Sequence, residues 1–372
     1  MWRWVVELVV CPVCRRRLAA LDAAADDRDA VLGHVDGTCP EVYPVIGGIP
    51  RLLVGEARAL LAAERADWFR QSPLASRFRS WVTAAAGAEV RAADLRVVAR
   101  FDREWRAFPR VGTAEQELVF ARYFDVVPAE LLAADRVALD AGCGGGRWAY
   151  QVQRHGPRVV AVDLGRSIEV AERNTRDTGR VACVQADVRD LPLKPASFDL
   201  AYSLGVLHHV GPTERAVRGL AELVRPGGSL LLYLYYALDS RSTVYRSVFR
   251  VADAVRRASS RLPQPLLVVV STAIAVTVYW PLARLARVLG AIGLRRAAEA
   301  LPLSFYADLS LRTMRNDSQD RFGTSVEKRY ARAEVRRLLE DAGLSDVRVS
   351  DASPYWHAAG MRPLRERPTM TP

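Results

Sequence analysis

The chain has 372 residues, 50% hydrophobic and 26% charged with no long polar tract, which excludes a largely disordered protein and supplies a core for one large or two ordinary domains. Its formal net charge is +11, yet 51 of the 53 basic residues are arginines scattered along the chain, a pattern of codon bias rather than of a phosphate-binding face, so nucleic acid is not an expected partner. Five unevenly spaced cysteines are too few for a disulfide scaffold and point to a reducing cytoplasm.

The first residues, Met1 to Val10, carry Glu7 inside a short apolar run and lack a small-residue cleavage site, so they do not read as a signal peptide. Cys11-Pro12-Val13-Cys14 has the spacing of a metal knuckle, and Cys39 stands where a second knuckle would begin, but Val42 occupies the place of its second cysteine. Glu41 to Leu53, with Gly47-Gly48 as a hairpin turn, resembles the end of the small zinc-ribbon-like module that precedes many bacterial methyltransferases. Two readings stand for this module: zinc on Cys11, Cys14 and Cys39 with His34 as fourth ligand, or, the preferred one, a degenerate metal-free ribbon held by its apolar residues. From Gly55 to Leu132 the pattern is helical. Phe101 to Phe108 puts aromatic residues at i, i+4 and i+7 on one helix face, which in the preferred reading packs against the sheet; resemblance to the aromatic helices of related methyltransferases, which lie over the cofactor pocket, makes Trp105 a lid candidate as the alternative.

The most informative stretch is Val137-Ala138-Leu139-Asp140-Ala141-Gly142-Cys143-Gly144-Gly145-Gly146-Arg147, an apolar strand running into an acid and then a glycine-rich turn. Such a turn lets a bulky cofactor lie against bare backbone. Alone it also satisfies the relaxed dinucleotide pattern, so the downstream strands must decide between the two cofactors. A second strand, Arg158–Asp163, ends in an acid seventeen residues after Gly146, where a carboxylate can accept both hydroxyls of a ribose. Strands at Val181–Gln185, Ser197–Ser203 and Gly228–Leu234 come next, the first leading into Ala186-Asp187-Val188 and the second into Leu204-Gly205-Val206-Leu207-His208-His209. The turn Arg225-Pro226-Gly227-Gly228 precedes the last.

In this order the motifs resemble the class I S-adenosylmethionine-dependent methyltransferases, near the branch that includes quinone-biosynthesis enzymes, over Leu131–Tyr236 and again over Tyr330–Met361. The resemblance implies S-adenosyl-L-methionine as cofactor. Asp140, Gly142, Gly144 and Gly146 would hold its methionine end, with Ser203 at the end of the fourth strand beside it. Asp163 would hold the ribose hydroxyls, and Asp187 with the Val188 amide the adenine. His208 and His209 stand where a base for the acceptor would act, only one of them can face the pocket, and the resemblance favours His208. Enzymes of this kind acting on planar amino groups carry Asn/Asp-Pro-Pro-Tyr after this strand, whereas this chain has Ser203-Leu204-Gly205-Val206, so an oxygen or carbon acceptor is expected.

About ninety residues are then inserted before the sheet closes. Leu266–Leu282 is uncharged for seventeen residues, near the lower limit for crossing a bilayer. Ala333–Ala342 and the strands near Asp346–Ser350 and Trp356–Met361 must still return to the sheet, and Leu285–Leu303 carries Arg287, Arg295, Arg296 and Glu299, so a span without a return is excluded. A buried cap helix is the preferred expectation and an interfacial helix the alternative. Asn316 to Thr324 re-enters the fold and resembles a recurring junction of this methyltransferase branch; a solvated loop is the preferred reading and contact of its polar groups with substrate the alternative.

The expected architecture is a Rossmann-like three-layer α/β methyltransferase sheet: a ribbon at 1–55, a helical lead-in at 56–130, the cofactor-binding core at 131–236, an apolar helical cap at 237–330, and a closing helix and strands at 331–372. The expected activity is O- or C-methylation of a small or lipid-like metabolite in the cytoplasm, with peripheral contact at the inner membrane face. A nucleotide-dependent oxidoreductase and a catalytically inactive cofactor-binding scaffold are the alternatives.

Overall fold

The computed structural model describes residues 2–25, 27–85, 102, 105, 111–237, 243–323, 328–352 and 356–364. Of the expected aromatic helix face, Trp105 lies among them, while Phe101 and Phe108 lie outside the described residues.

The amino-terminal module is a four-stranded antiparallel sheet in the order β1 (Ala19–Ala23), β2 (Ala30–Gly33), β3 (Tyr43–Ile46) and β4 (Ile49–Pro50), with Gly47-Gly48 forming the last hairpin turn. It is not a free-standing bead. Arg51 bridges in parallel to Gln185 on the edge of the main sheet, Leu52 N donates to Gln185 O at 2.9 Å, and Lys194 N donates to Leu8 O at 2.7 Å. Docking on a strand edge satisfies backbone groups that would otherwise template aggregation. The Arg51 guanidinium goes fully buried there, donating to Gln185 Oε1 at 2.8 Å and pairing with Glu169 at 3.4 Å. The lead-in contributes α1 (Gly55–Glu64), α2 (Ala66–Gln71), α3 (Arg79–Ala85) and α4 (Ala114–Tyr123); Thr113 and Gln116 close a capping box at the start of α4.

The main sheet has seven strands in the order β10-β11-β9-β8-β5-β6-β7, built from β5 (Val137–Ala141), β6 (Arg158–Asp163), β7 (Val181–Gln185), β8 (Phe198–Leu204), β9 (Val224–Tyr233), β10 (Ser345–Val349) and β11 (His357–Met361). β7, β6, β5, β8 and β9 run parallel, which is why they read as near-continuous apolar runs: both faces are covered, by α5 (Arg147–His155), α6 (Ser167–Thr175), α7 (Thr213–Leu223) and the lead-in. β11 is antiparallel to both β9 and β10. Chain order reverses between β5 and β8, so the crevice at the carboxyl ends of those strands is where an open α/β sheet binds its ligand. The expected mixed α/β sheet with a separate amino-terminal antiparallel sheet is therefore the fold observed.

The insertion forms α8 (Thr243–Ser259), α9 (Gln264–Ala291), α10 (Arg295–Ala300) and α11 (Leu311–Gly323), before α12 (Arg332–Asp341) closes the chain onto the sheet. Two expectations are corrected here. α9 is not a buried cap helix: only 28% of its most apolar stretch is buried, its buried residues along the whole helix are the narrow seam Leu267, Ser271, Ala275, Tyr279, Ala283 and Ala286, and Val269, Val276 and Trp280 stand exposed. Its middle turn, Ala275–Tyr279, is a π-turn because Pro281 has no N–H to close the normal ladder, and Trp280 N donates five residues back to Ala275 O. Residues 316–323 are not a loop but the last turns of α11, whose buried stripe Met314, Ser318 and Phe322 has helical spacing.

Candidate active site

A cavity of ≈ 270 Å³ opens at the carboxyl ends of the parallel strands, floored by the turn between β5 and α5. Gly142 N and Cys143 N both donate to Val162 O, at 2.8 and 2.9 Å, which fastens the turn to the neighbouring strand. Gly144 has φ +53°, and a Cβ on it would stand 2.4 Å from the Trp105 indole, so a side chain there meets both backbone strain and the ring lying on the glycine floor. The Trp105 side chain also contacts the Arg147 guanidinium, which sits 5.2 Å from that ring and 4.7 Å from the Trp148 ring. A cation held between two indoles gains about 1–2 kcal/mol and leaves its N–H edge available to an anion.

The expected cofactor residues separate into two groups. Gly142, Gly144, Asp163, Asp187 and Val188 line the cavity. Asp140, Gly146 and Ser203 do not. Gly146 faces α6, where a Cβ would meet Ala171 at 2.9 Å, so it is a helix-packing position. Ser203 is fully buried and donates to Ala141 O at 2.8 Å, pinning β8 to the end of β5. Asp140 lies beneath the floor, 1% exposed, with Oδ2 lacking a hydrogen-bond partner. Burial pushes its carboxyl up to about 8, opposed by the Ala149 amide in the first turn of α5 and by the Tyr202 hydroxyl. From there it supports the turn from beneath.

That displacement has a sign. A carboxyl raised in the folded protein stabilises the fold below the ordinary carboxylate range, and the contribution is lost as pH rises through the folded value. In cofactor-free protein, Asp140→Asn is expected to flatten the fall in melting temperature between about pH 5 and about pH 9 relative to the parent. Equal slopes for the two proteins would remove Asp140 as the cause.

Asp163 is already engaged: it accepts from Gly144 N and Gly165 N, each at 2.9 Å, and from Ser167 Oγ at 3.0 Å. Burial raises its carboxyl, against those amide donors and with the neighbouring Asp102 carboxylate adding to the rise. Asp102 itself accepts from Ser167 N at 2.7 Å, so Asp102 and Trp105, three residues apart, bring the lead-in to both ends of the cofactor side. Asp187 is clamped by Arg189, whose Nε lies 3.0 Å from Oδ1 and 2.9 Å from Oδ2. Arg189 N also donates to Oδ1 at 2.9 Å and its Nη2 to Oδ2 at 2.5 Å, so the clamp fills the roughly four lone-pair sites of the carboxylate and a ligand amine would have to displace part of it.

The two candidate histidines stand differently to the cavity. The two imidazoles of the turn Leu207–His209 after β8 lie 4.0 Å apart between ring centroids and both touch Tyr235, and of the two it is His209 that lines the cavity. His208 is 1% exposed, neither of its ring nitrogens has a hydrogen-bond partner, and its ring stacks on Tyr235 at 3.8 Å. Burial, with His209 and Arg329 nearby, holds its imidazole well below the ordinary histidine range, which makes it a weak base as well as an inaccessible one.

The rest of the cavity wall includes polar residues of the segment whose contact with substrate was the alternative expectation, Asn316, Asp317, Asp320 and Arg321. Tyr233 and Tyr235 project from the end of β9, Tyr123 from α4, and the insertion adds Phe305, Tyr306, Asn316, Asp317, Asp320 and Arg321. Tyr235 donates to Asp320 Oδ2 at 3.2 Å and Tyr306 to Asp317 Oδ2 at 2.9 Å. Burial raises the Asp317 carboxyl. The alternation Tyr233, Tyr235 was the signal in the sequence for two side chains on one strand face. In the amino-terminal module Cys11, Cys14, His34 and Cys39 converge, with their ligand atoms all within 4.8 Å of one another and Cys14 Sγ 3.5 Å from His34 Nε2.

With this geometry in view, the comparisons are specific. A family model described as a methyltransferase domain matches residues 139–232, the segment that builds the floor and the parallel strands. The ubiquinone biosynthesis O-methyltransferase of Methylocella silvestris is 33% identical over 185 residues, covering 42% of this chain and 68% of that protein. The enzyme of the same name from Serratia proteamaculans is 32% identical over 112 residues, 29% of this chain and 45% of that one. Among solved structures, the magnesium protoporphyrin IX methyltransferase of Synechocystis with bound SAH is similar over 72% of this chain and 99% of its own, at 14% identity and a TM-score of 0.42. The chain thus spans between about half and two thirds of the length of the curated relatives it matches. The glycine floor, the acids at the ends of β6 and β7 and these relatives place the chain in the class I S-adenosylmethionine-dependent methyltransferases.

Proposed function

We propose that the protein O-methylates a hydroxylated, largely apolar acceptor, with His209 as the base. The observation that carries this is a single cavity wall joining the glycine floor, Asp163 and Asp187 to His209 and the tyrosines of β9. The residues suit the cofactor: bare backbone at Gly142 and Gly144, acids at two strand ends, and the Arg147 guanidinium between Trp105 and Trp148. Bound there, S-adenosylmethionine supplies an electrophilic methyl group that needs an in-line nucleophile. Arg147 would hold its carboxylate, Asp163 its ribose hydroxyls and Asp187 its adenine amino group. His209 takes the acceptor's hydroxyl proton, while the Tyr235–Asp320 and Tyr306–Asp317 pairs orient the ring or chain that carries the hydroxyl. The aromatic wall excludes water from the transfer. C-methylation is the alternative outcome. Single-turnover transfer from methyl-labelled cofactor to a series of alkylated phenols, followed by identification of the labelled bond, decides: an aryl methyl ether supports the proposal, ring methylation overturns the O-selectivity, and no transfer to any phenol overturns the acceptor class.

The amino-terminal module is proposed to bind zinc through Cys11, Cys14, His34 and Cys39, a three-thiolate, one-imidazole set suited to tetrahedral zinc. The site lies in the ribbon that docks on β7, away from the cavity, and its role is to hold that ribbon together. Protein purified without chelator is expected to carry about one zinc per chain, and Cys14→Ser to lose it with a lower melting temperature. Metal-free protein with the same melting curve as the variant would return the module to its apolar residues alone.

A further inference from the structure

We propose that α9, with the adjoining part of α8, is a docking surface for an anionic lipid bilayer, and that the acceptor reaches the cavity from the membrane plane. Among the described residues, seventeen large hydrophobic side chains are exposed, and eleven of them fall between Val251 and Leu294. Scattered singly such residues mean little, but seven of these eleven lie on α9 itself and two more within three residues of its end. No acid or lysine occurs from Gln264 to Leu294, and the run is bracketed by exposed Arg250, Arg257 and Arg261 before it and Arg287, Arg295 and Arg296 around its end. The acids nearest in sequence are Asp253, paired with Arg256 and Arg257, and Glu299, with Asp308 beside Arg287.

The charge pattern selects the occupant. A second copy of the chain laid on this face would set arginine-rich ends against arginine-rich ends whichever way the two helices ran. An anionic leaflet meets the same arginines with opposite charge and the valine and tryptophan face with hydrocarbon. α9 is 28 residues, about 42 Å, and long enough to cross a bilayer, but its seam is packed along its whole length, with Ser318 Oγ donating to Ser271 O at 2.9 Å. Crossing would strip that seam, so the helix lies in the interface.

The seam also ties the surface to chemistry. Tyr279 contacts Tyr306 at 5.3 Å between ring centroids, and Tyr306 with Asp317 on α11 walls the cavity. Docking of α9 therefore places the acceptor wall beside the lipid, and the acceptor class deepens to an amphiphile with a hydroxylated head and an apolar tail. The access route rests on the methyltransferase reading; the surface contact does not.

Flotation of the full chain with vesicles of phosphatidylcholine and phosphatidylglycerol at low and high salt tests it, beside vesicles of phosphatidylcholine alone. Binding is expected to be strongest on the anionic vesicles, to weaken with salt, and to fall roughly tenfold or more in Val269→Asp/Val276→Asp. Cofactor affinity, measured calorimetrically on the same double variant, is expected to match the parent, which separates failure of the surface from failure of the site. Should the double variant not fold, Arg295→Glu/Arg296→Glu is expected to lose the anionic preference. A parent protein that floats with neither vesicle overturns the proposal, and so does a parent dimer that the valine substitutions split without any vesicle binding.

Discussion

His209→Asn is expected to slow methyl transfer about 100-fold or more while leaving cofactor affinity within about twofold of the parent, the signature of a lost general base. The loss corresponds to about 2.7 kcal/mol of transition-state stabilisation. Asparagine keeps the polarity of the cavity wall but cannot take up the acceptor's proton. His208→Asn is the control. Its ring stacks on Tyr235 inside the protein, so the expected cost appears as a lower melting temperature with a much smaller change in turnover. Full activity in His209→Asn together with an inactive, stably folded His208→Asn would reverse the assignment.

Gly144→Val is expected to lose cofactor affinity by about 100-fold or more, and to cost about 1–3 kcal/mol of stability from the left-handed backbone alone. The first atom a side chain meets is not open cavity but the Trp105 indole, 2.4 Å from the Cβ position. The valine must displace that ring, and with it the Trp105–Arg147–Trp148 stack that would hold the cofactor's carboxylate. Two variants separate the contributions. Trp105→Ala alone should weaken binding through the loss of the stack, and adding it to Gly144→Val should recover some stability but not the affinity. Calorimetric binding by Gly144→Val equal to that of the parent would remove the turn from the site.

Much of the fold was legible because buried parallel strands write themselves as apolar runs: β6 and β7 were read at Arg158–Asp163 and Val181–Gln185, and those are their bounds. The acids at their ends were legible for the same reason, since a strand end marks the crevice. Which of two adjacent histidines faces the cavity was not, because the short turn at Leu207–His209 has no periodicity to set its phase. Asp140 misled because its spacing from the glycines fits contact with a ligand as well as support of the turn from below. Residues 316–323 looked like a loop because helix α11 turns its polar side to a cavity rather than to a core, and the cavity is built by residues distant in sequence. α9 looked like a core helix because it is apolar all round, and only the narrow seam of Ser271, Ala275, Ala283 and Ala286 distinguishes packed from exposed positions. His34 was named as the possible fourth ligand although it stands in no recognisable knuckle, twenty residues beyond Cys14, and the ribbon's hairpins bring it beside the three thiols.

The most direct test of the central claim is a calorimetric titration of the full chain with S-adenosylmethionine, S-adenosylhomocysteine and NAD. Saturable one-to-one binding of the first two in mutual competition, with no heat from NAD, is the predicted result; binding of NAD with no affinity for either sulfur compound would contradict the account.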